Sequence, residues 1–276
     1  MRIQWLGTAA AEGWPALFCQ CDACMEAQRR GGRNIRSRSG ALIDEDLLID
    51  LNPDLLYQKQ KFNLDLGKVE DVIVTHFHSD HLTPMHFGLM VPVYAHRKSE
   101  KPIRVHASEK IISMLKRAPE GVELIETKNG ESFEAAGKIV TPLPAVHGGP
   151  ESQAQFYLIQ KGRDSILYAH DTDLFCDEAW EILEAKLKEP LDILSVDCTN
   201  GPLPHEIYRG HMGFDQDVMI KNMLIEKGLA DERTVFVSNH FSHNGHVLYE
   251  EAQERMAPHG FLISYDGMIA ETDEHD

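Results

Sequence analysis

The residues with the clearest chemical potential form one short run, HFHSDH, which spans residues 76–81. Three imidazoles and a carboxylate fall within these six positions, directly after the apolar run DVIVT. A loop that follows a strand can fold such side chains inward around a cation, and this ligand set suits zinc, manganese, iron or nickel. A polar loop with chance histidines is the ordinary alternative in a chain with 15 of them. The order and spacing nevertheless predict a metal site.

A second candidate cluster consists of cysteines. Cys19, Cys21 and Cys24 lie close together, whereas Cys176 and Cys198 are isolated. Three thiolates at this spacing are within reach of one tetrahedral zinc, which leaves one ligand to find. A secreted disulfide framework would distribute its cysteines in pairs, so the bunch favours metal in a cytoplasmic protein over disulfides. Reduced thiols without a metal are the alternative. We therefore predict a structural zinc loop at about residues 13–38.

Strands and helices must position these two clusters. Strand-like runs recur along the chain, from MRIQWLG and the hairpin GALI–DED–LLIDL to TVFVSNH and FLISYDG. Helical periodicity fits the segments near 53–60, 108–117, 177–188, 215–227 and 248–256. Hairpins dominate the early half and strands alternate with helices later, so we predict an α/β fold of two packed sheets flanked by helices. Because no repeat or linker divides residues 1–276, we expect a single domain.

Composition and charge narrow the class of protein. The chain has 276 residues, 42% of them hydrophobic, and a net charge of −17 with an acidic tail, ETDEHD. Such a charge disfavours nucleic acid as a partner, because nucleic acid needs a basic field. The arginines between Arg29 and Arg38 are a local exception, and a solvated loop is their simplest interpretation. No run approaches the roughly 20 apolar residues of a membrane span, so we expect a cytoplasmic protein without a membrane partner.

The order His-x-His-x-Asp-His after a strand resembles the signature of the metallo-β-lactamase superfamily, and the similarity extends along the chain. The resemblance implies a single-domain αββα sandwich. It also implies three further metal ligands, which match His147 in PLPAVHGG, Asp171 in YAHDTD and His240 in VFVSNHFSH. The ligands that it implies for two catalytic metals are His76, His78 and His147 for the first, Asp80, His81 and His240 for the second, and Asp171 as a bridge between them.

The charge of this implied site suits the hydrolysis of an anionic ester. Two divalent cations bring about +4, and two carboxylates leave roughly +2, so the site stays cationic even with a bridging hydroxide. We therefore predict a metal-dependent hydrolase that uses a metal-bridged hydroxide on a small cyclic or sugar-linked phosphodiester. Manganese or zinc is expected as the catalytic pair, with iron or nickel as alternatives. The ligands alone also admit hydrolysis of a lactam or a thioester.

The cysteine segment narrows the resemblance within the superfamily. LGTAAAEGWPALFCQCDAC is similar to the corresponding segment of the phosphoribosyl 1,2-cyclic phosphate phosphodiesterases of bacterial phosphonate breakdown. That family places a fourth zinc ligand three residues after its last catalytic histidine, where this chain has His243, with His246 as the runner-up. The resemblance also implies that His211, in GHMGFDQ, protonates the leaving alkoxide or contacts the phosphate. Asp80 and His211 are thus the predicted catalytic residues.

Four positions near the predicted ligands depart from the family pattern or have weaker assignments. Many relatives have glycine where this chain has Asp173, and His205 has no counterpart in the pattern, so the identity of the substrate stays open. His170 is predicted either to support the ligands or to pack in the core. Asp197, at a strand end in SVDCT, is predicted to support the ligands without binding metal.

Two other functions remain alternatives. The accessory protein of pyrroloquinoline-quinone biosynthesis resembles this chain in the cysteine segment, but that group departs from the intact HFHSDH run. The tRNA 3′-processing endonuclease shares the dinuclear ligands, but the acidic charge and the lack of a Gly/Pro-rich basic arm disfavour that function here. Arg36 or Arg38 is a candidate contact for the substrate phosphate. By analogy with the fold, a homodimer is the expected assembly.

Overall fold

The computed structural model describes residues 1–272, over which the chain forms 14 strands and seven α-helices. Residues 273–276 of the acidic tail lie outside the described range. The strands assemble into two sheets of seven. Within the described range, no helix combines the length and apolar character that crossing a bilayer would need.

The first sheet joins the two ends of the described chain to its early hairpins. Its strands in spatial order are Ile269–Glu271 (β14), Arg2–Gly7 (β1), Gly40–Ile43 (β2), Leu47–Ile49 (β3), Asp71–Ile73 (β4), Ile103–Ser108 (β5) and Val122–Thr127 (β6). Pairing is antiparallel from β14 to β3 and parallel from β3 to β6. The hairpin with the acidic tip is confirmed, with Ile43 opposite Leu47.

The second sheet also has seven strands, with one parallel half and one antiparallel half. Its strands in spatial order are Phe261–Ile263 (β13), Val235–Asn239 (β12), Ile193–Asp197 (β11), Asp164–Ala169 (β10), Gln155–Lys161 (β9), Lys138–Pro144 (β8) and Phe133–Ala135 (β7). Pairing is parallel from β13 to β10 and antiparallel from β10 to β7. Each sheet therefore contains a parallel half, and a crevice at the carboxyl ends of parallel strands is the usual place for a ligand site.

The helices cover the outer faces of both sheets. They are Asp22–Arg30 (α1), Leu55–Lys61 (α2), Met85–Leu89 (α3), Glu109–Leu115 (α4), Asp177–Lys186 (α5), Phe214–Glu226 (α6) and Tyr249–Met256 (α7). Five of them match the predicted helical segments. The helix α1, within the predicted zinc loop, was not predicted, and neither were the three-residue strands β7 and β14.

Three apolar clusters hold the layers together. Trp5, Tyr157 and Tyr168 belong to the cluster between the sheets, which draws side chains from both of them. The outer face of the second sheet packs against α1, α5, α6 and α7, and that of the first sheet against α2, α3 and α4. In α5, for example, Trp180 and Leu183 point inward, and burying one leucine contributes about 1.5–3 kcal/mol. The predicted αββα sandwich is confirmed.

Candidate metal centre

The residues predicted to bind the catalytic metals lie at one edge of the sandwich. His76 follows β4 in the first sheet, whereas Asp171 and His240 follow β10 and β12 in the second. His147 follows β8, which runs in the same direction as β10 because β9 is antiparallel to both. Both sheets therefore contribute ligand candidates to the same crevice.

His76, His78 and His147 form the first group, in which one ring nitrogen of each lies within 4.8 Å of the others. Nε2 of His147 is 3.1 Å from Nδ1 of His78. On its other side, Nδ1 of His147 donates a hydrogen bond to the carbonyl oxygen of Gly210 at 2.9 Å. This bond fixes the tautomer of His147 and directs the unprotonated Nε2 toward the other two rings, as in many metal-binding histidines.

Asp80, His81 and His240 form the second group. Nε2 of His81 is 3.1 Å from Oδ2 of Asp80. Oδ2 of Asp171 lies 3.0 Å from Nε2 of both His81 and His240, and its Oδ1 lies 3.8 Å from Nε2 of His147. Asp171 is therefore placed between the two groups, where a bridging carboxylate would have to be.

Several buried polar atoms of this cluster have no hydrogen-bond partner in the described part of the chain. They are Nε2 of His76, His81 and His240 and Oδ2 of Asp171. A buried polar atom without a partner costs about 1–3 kcal/mol, yet these atoms converge on one another. Neutral imidazole and carboxylate are ligands that divalent cations prefer. The donor set therefore fits the two-metal centre that the resemblance implies.

The carboxylates of the cluster favour positive charge nearby, as the pKa shifts of its members indicate. Burial would raise the pKa of Asp171, but His240 and His81 outweigh it and hold that pKa well below its usual range. Burial would lower the pKa of His81, but Asp171 and two further carboxylates raise it well above its usual range. Burial and then the charge of His81 hold the pKa of His76 well below its usual range. The carboxylate thus stays ionised, ready to balance a cation.

Asp50 orients His81, and its role was not predicted from the sequence. Oδ2 of Asp50 accepts a hydrogen bond from Nδ1 of His81 at 2.7 Å, and Oδ1 accepts one from the backbone N–H of Thr75 at 2.8 Å. Asp50 is fully buried directly after β3. The available signal was a single acid directly after the apolar run LLI, which forms the strand next to the one that precedes HFHSDH.

Asp197 and Thr199 support the opposite side of the cluster. Oδ2 of Asp197 accepts from Nδ1 of His211 and from the backbone N–H of Asp171, both at 2.9 Å. Oγ1 of Thr199 is 2.8 Å from Nδ1 of His240. Burial would lower the pKa of His211, but the Asp197 carboxylate outweighs it and raises that pKa to about 9. A carboxylate oxygen of Asp197 also lies within 4.8 Å of ligand atoms of Asp171, His211 and His240, so its role as a support without metal stays a prediction.

Three residues at the site have a left-handed backbone. Asp50, Asp171 and His240 have φ values of 68°, 52° and 64°. Asp50 and His240 directly follow a strand and Asp171 lies two residues after one, and residues other than glycine seldom adopt such φ values. Strain of this kind concentrates at functional sites, where the surrounding structure holds the residue in place. Here it turns the chain sharply so that each side chain reaches the crevice.

The cysteines form a separate cluster with His243. One ligand atom of each of Cys19, Cys21, Cys24 and His243 lies within 4.8 Å of the others, a set suited to tetrahedral zinc. Nδ1 of His243 is 3.5 Å from Sγ of Cys21 and 3.8 Å from Sγ of Cys19. Burial raises the pKa of the Cys24 thiol to about 12, and zinc binding would have to displace that proton. The runner-up, His246, is not part of this group.

The two arginines proposed as substrate contacts are bound by the protein itself. The guanidinium of Arg36 is buried, donates to the carbonyl oxygen of Ser264 at 2.6 Å and stacks on the ring of Phe241. The guanidinium of Arg38 donates to Oδ1 of Asp54 at 2.8 Å and to the carbonyl oxygen of Ala11. Both arginines thus tie the N-terminal loop to its neighbours, and neither is supported as a phosphate contact.

His170 was predicted either to support the ligands or to pack in the core. The structure favours packing, in a buried position with polar neighbours. Its Nε2 is 2.7 Å from Oγ of Ser195, and its ring lies against Tyr168. Burial, helped by the nearby His240, lowers the pKa of His170 to about 3, so it is neutral.

A cleft of about 870 Å³ opens beside His147. Its size lies within the range of small-molecule sites. The segment 144–150 forms one side of the cleft, and the polar side chains on its walls include Ser108, Glu109, Glu126, Lys128, Asn129 and Arg209. The hydroxyl of Ser108 is buried and has no hydrogen-bond partner in the described residues. The cleft thus offers donors, acceptors and both signs of charge next to a metal-ligand candidate.

A sequence profile of the beta-lactamase superfamily domain matches residues 45–252, which is more than half of the chain. The chain therefore belongs to the beta-lactamase superfamily, as the HFHSDH run suggested. The UPF0282 protein PH1002 of Pyrococcus horikoshii is 26% identical over 219 residues. This match covers 71% of the present chain and 65% of that protein, which is slightly less than two thirds of its length.

Solved structures support the same fold over nearly the whole chain. A new diphosphatase from the PhnP family is 24% identical with a TM-score of 0.73, and the match covers 98% of this chain and 97% of that one. Zinc-bound PqqB from Methylobacterium extorquens is 18% identical with a TM-score of 0.71, and the match covers 98% of this chain and 100% of that one. At these identities the similarity establishes the fold.

Proposed function

We propose that the protein is a dinuclear metal-dependent phosphodiesterase that hydrolyses a small cyclic or sugar-linked phosphodiester. The observation that carries the proposal is the position of Asp171 between two groups of ligand candidates, several of whose buried atoms have no hydrogen-bond partner in the described residues. The proposed ligands are His76, His78 and His147 for one metal, Asp80, His81 and His240 for the other, and Asp171 for both. Manganese or zinc is the favoured pair, and iron or nickel also suits these ligands.

When bound, the two metals would supply Lewis acidity and a water-derived nucleophile at neutral pH. The protein would fix the ligand side chains in advance. Asp50 holds the ring of His81 through Nδ1, and Thr199 holds the ring of His240 through Nδ1, so that Nε2 of each ring faces the crevice. Asp80 and Asp171 would neutralise only part of the metal charge, which leaves the site attractive to a phosphate anion.

His211 is the proposed general acid. Burial would lower the pKa of His211, but Asp197, which accepts its Nδ1 proton, raises that pKa to about 9 and so favours the protonated ring. Its Nε2 proton could then pass to the oxygen of the departing alcohol. A general acid in this position contributes about 10²–10⁴-fold to a rate.

The cleft beside His147 is the proposed site for the organic part of the substrate. Its volume of about 870 Å³ accommodates a sugar or a nucleotide, and its polar walls suit hydroxyl and phosphate groups. The PhnP-family structure with a similar fold is a diphosphatase, which supports a substrate containing phosphorus. The net charge of −17 disfavours a nuclease that would have to hold a long polyanion.

A non-hydrolytic accessory role is the alternative class, since PqqB has a similar fold. The complete HFHSDH run, together with His147, Asp171 and His240, favours the enzyme over this alternative. For the cysteine cluster we propose one structural zinc that joins the N-terminal loop to the loop after His240. A homodimer is proposed as the assembly.

The experiment combines metal analysis with an activity screen. Protein purified without chelator is expected to contain about three metals per chain, one of which is lost when Cys21 is replaced. The screen compares bis-p-nitrophenyl phosphate, cyclic nucleotides, a ribose 1,2-cyclic phosphate, a nucleoside diphosphate sugar and a thioester. Turnover of diesters should collapse in His78→Ala and Asp171→Ala and persist in His259→Ala. His259 is exposed and precedes β13, at the edge opposite the crevice.

Two results would reject the phosphodiesterase. One is turnover of the thioester alone. The other is metal-replete protein that is inert on every phosphorus substrate, which would move the protein to the accessory class.

A further inference from the structure

Two polar residues at the rim of the crevice contact each other. Asp173 lies two residues after Asp171. His205 lies between β11 and α6. Nε2 of His205 donates a hydrogen bond to Oδ1 of Asp173, and the two side chains are 31% and 17% exposed. The pair therefore joins two segments at the rim of the crevice.

Asp173 also connects to the metal-ligand candidate His147 in two steps. Its Oδ2 accepts a hydrogen bond from the backbone N–H of Gly210 at 3.2 Å. The carbonyl oxygen of Gly210 in turn accepts the Nδ1 proton of His147 at 2.9 Å. In addition, the backbone N–H of Asp173 donates to the carbonyl oxygen of Val146 at 3.1 Å. Asp173 thus links the loop after β10 to the segment before His211 through its carboxylate, and to the loop after β8 through its backbone N–H.

The segment 201–210 has no helix or strand of its own, and most of its residues are exposed. Asn200 binds the carbonyl oxygens of Tyr208 and His211 with its side-chain amide. Gly210 approaches His147 so closely, at a φ of +87°, that an added Cβ would lie 3.3 Å from Nδ1 of the imidazole. An exposed segment without regular structure needs side-chain bonds to keep one position, and Asp173 and His205 provide such bonds.

We infer that Asp173 and His205 form a latch, which positions Gly210 against His147 and holds the segment 201–210 as one wall of the substrate cleft. The inference rests on the proposed function for its catalytic consequence. Asp173, Arg209 and Gly210 all line the cleft next to His147. The same contacts therefore determine the position of the cleft wall and that of the His147 imidazole. Asp173 and His205 are positioning residues, because they act through Gly210.

The test uses His205→Ala, His205→Gln and Asp173→Ala, with His259→Ala as the matched control. The glutamine amide can still donate to the Asp173 carboxylate. Metal affinity is measured by titrating Zn²⁺ or Mn²⁺ into protein that retains its cysteine-site zinc, against a chelating indicator. Partners behind a metal-binding histidine typically contribute about 10–100-fold to metal affinity or activity. We expect about tenfold weaker binding in Asp173→Ala, a smaller loss in His205→Ala, and affinity near that of the unmodified protein in His205→Gln and His259→Ala.

Kinetics on whichever phosphorus substrate is turned over provide the second measurement. In His205→Ala the kcat should fall because His147 is less well placed. The KM should rise more for a nucleoside diphosphate sugar, which fills the cleft, than for bis-p-nitrophenyl phosphate. If His205→Gln restores both kcat and KM, the effect of His205→Ala is due to positioning and not to a general loss of structure.

The outcomes separate this inference from the proposed function. If metal affinity falls in the latch variants while the protein is inert on every phosphorus substrate, the latch stands and the proposed function fails. If the phosphodiesterase is active and His205→Ala and Asp173→Ala match the unmodified protein in metal affinity and KM, the latch is overturned and the proposed function stands.

Discussion

The two candidate metal clusters of this protein are built in opposite ways. The cluster around Asp171 is buried at the ends of strands from both sheets, and the side chains of His81, His240 and Asp171 are at most 4% exposed. The cysteine cluster lies in an N-terminal loop that runs into α1, and Cys19 and Cys21 are only half-buried. Burial alone would suggest that the first cluster is the structural one.

The ligand types and their hydrogen-bond partners indicate instead that the cysteine cluster is the structural site. The buried cluster mixes imidazole with carboxylate, and its rings are held from behind by Asp50 and Thr199. The cysteine cluster offers four protein ligands, a closed set that leaves no position for a substrate and is typical of structural zinc. The difference teaches that the donor set and its hydrogen-bonded support, rather than depth, distinguish a site for chemistry from a site for stability.

Removing the charge of Asp171 is expected to have the largest effect. Asp171→Asn keeps the size of the side chain but loses the charge that is proposed to balance both metals. Losing several kcal/mol of charge stabilisation corresponds to a fall in kcat/KM of about 10³-fold or more. Diesterase assays and metal analysis measure the effect, with the exposed Asp177→Asn as the control. If Asp171→Asn lost the cysteine-site zinc along with the catalytic metals, the two clusters would not be independent of each other.

Replacement of His211 should affect chemistry without affecting metal content. His211→Gln removes the proton that Asp197 holds on the ring, so kcat should fall by about 100-fold while KM changes little. The comparison is with His259→Gln, under the same assay. A His211→Gln protein that loses its catalytic metals would show instead that His211 is itself a ligand.

Replacement of a cysteine should affect stability without affecting chemistry. Cys21→Ser removes one proposed zinc ligand, and a loss of about 5 kcal/mol of metal-coupled stability would lower the Tm by roughly 10 °C. At 25 °C the remaining folded protein should keep its kcat within about twofold, because the crevice does not use this metal. Calorimetry and diesterase assays test this, with Cys176→Ser as the control. A collapse of kcat at unchanged catalytic metal content would make the cysteine cluster part of the active site.

Glu12 should have the smallest effect. Its Oε1 lies 3.8 Å from Nε2 of His243 and accepts a hydrogen bond from Ser242, so it supports the zinc ligand from behind. Glu12→Gln is expected to weaken zinc binding about tenfold, or about 1.4 kcal/mol, and to lower the Tm by roughly 3 °C. Zinc competition with a chelator provides the measurement. Unchanged zinc affinity would mean that the cysteine cluster needs no supporting partner.

The sequence predicted the parts of the site whose signal is local. HFHSDH lies in one loop, so its spacing alone indicated a metal site, whereas His147, Asp171 and His240 required a resemblance that spans the chain. The roles of Asp50 and Thr199 arise only from strand order, which brings distant residues to one edge of the sandwich. The contact between Asp173 and His205 likewise depends on how an irregular segment folds back, which periodicity does not encode.

The fold was likewise predictable where its signal is local, and it was missed where an element depends on contacts with distant parts of the chain. Long apolar runs such as β8 and β9 stand out in the sequence, whereas the three-residue strands β7 and β14 exist only because a neighbouring strand pairs with them. The helix α1 was missed because its sequence, DACMEAQRR, is largely polar and buries only Ala23, Cys24 and Ala27.

The left-handed backbone at Asp50, Asp171 and His240 has an evolutionary consequence. Each such residue costs roughly 1 kcal/mol relative to glycine, in a molecule whose net stability is on the order of 10 kcal/mol. Glycine at any of these positions would relieve that backbone cost, but it would also remove the side chain that reaches the crevice, and at Asp50 the buried hydrogen bonds to His81 and Thr75. An evolving chain can therefore gain backbone stability at these positions only by giving up a ligand candidate or its support.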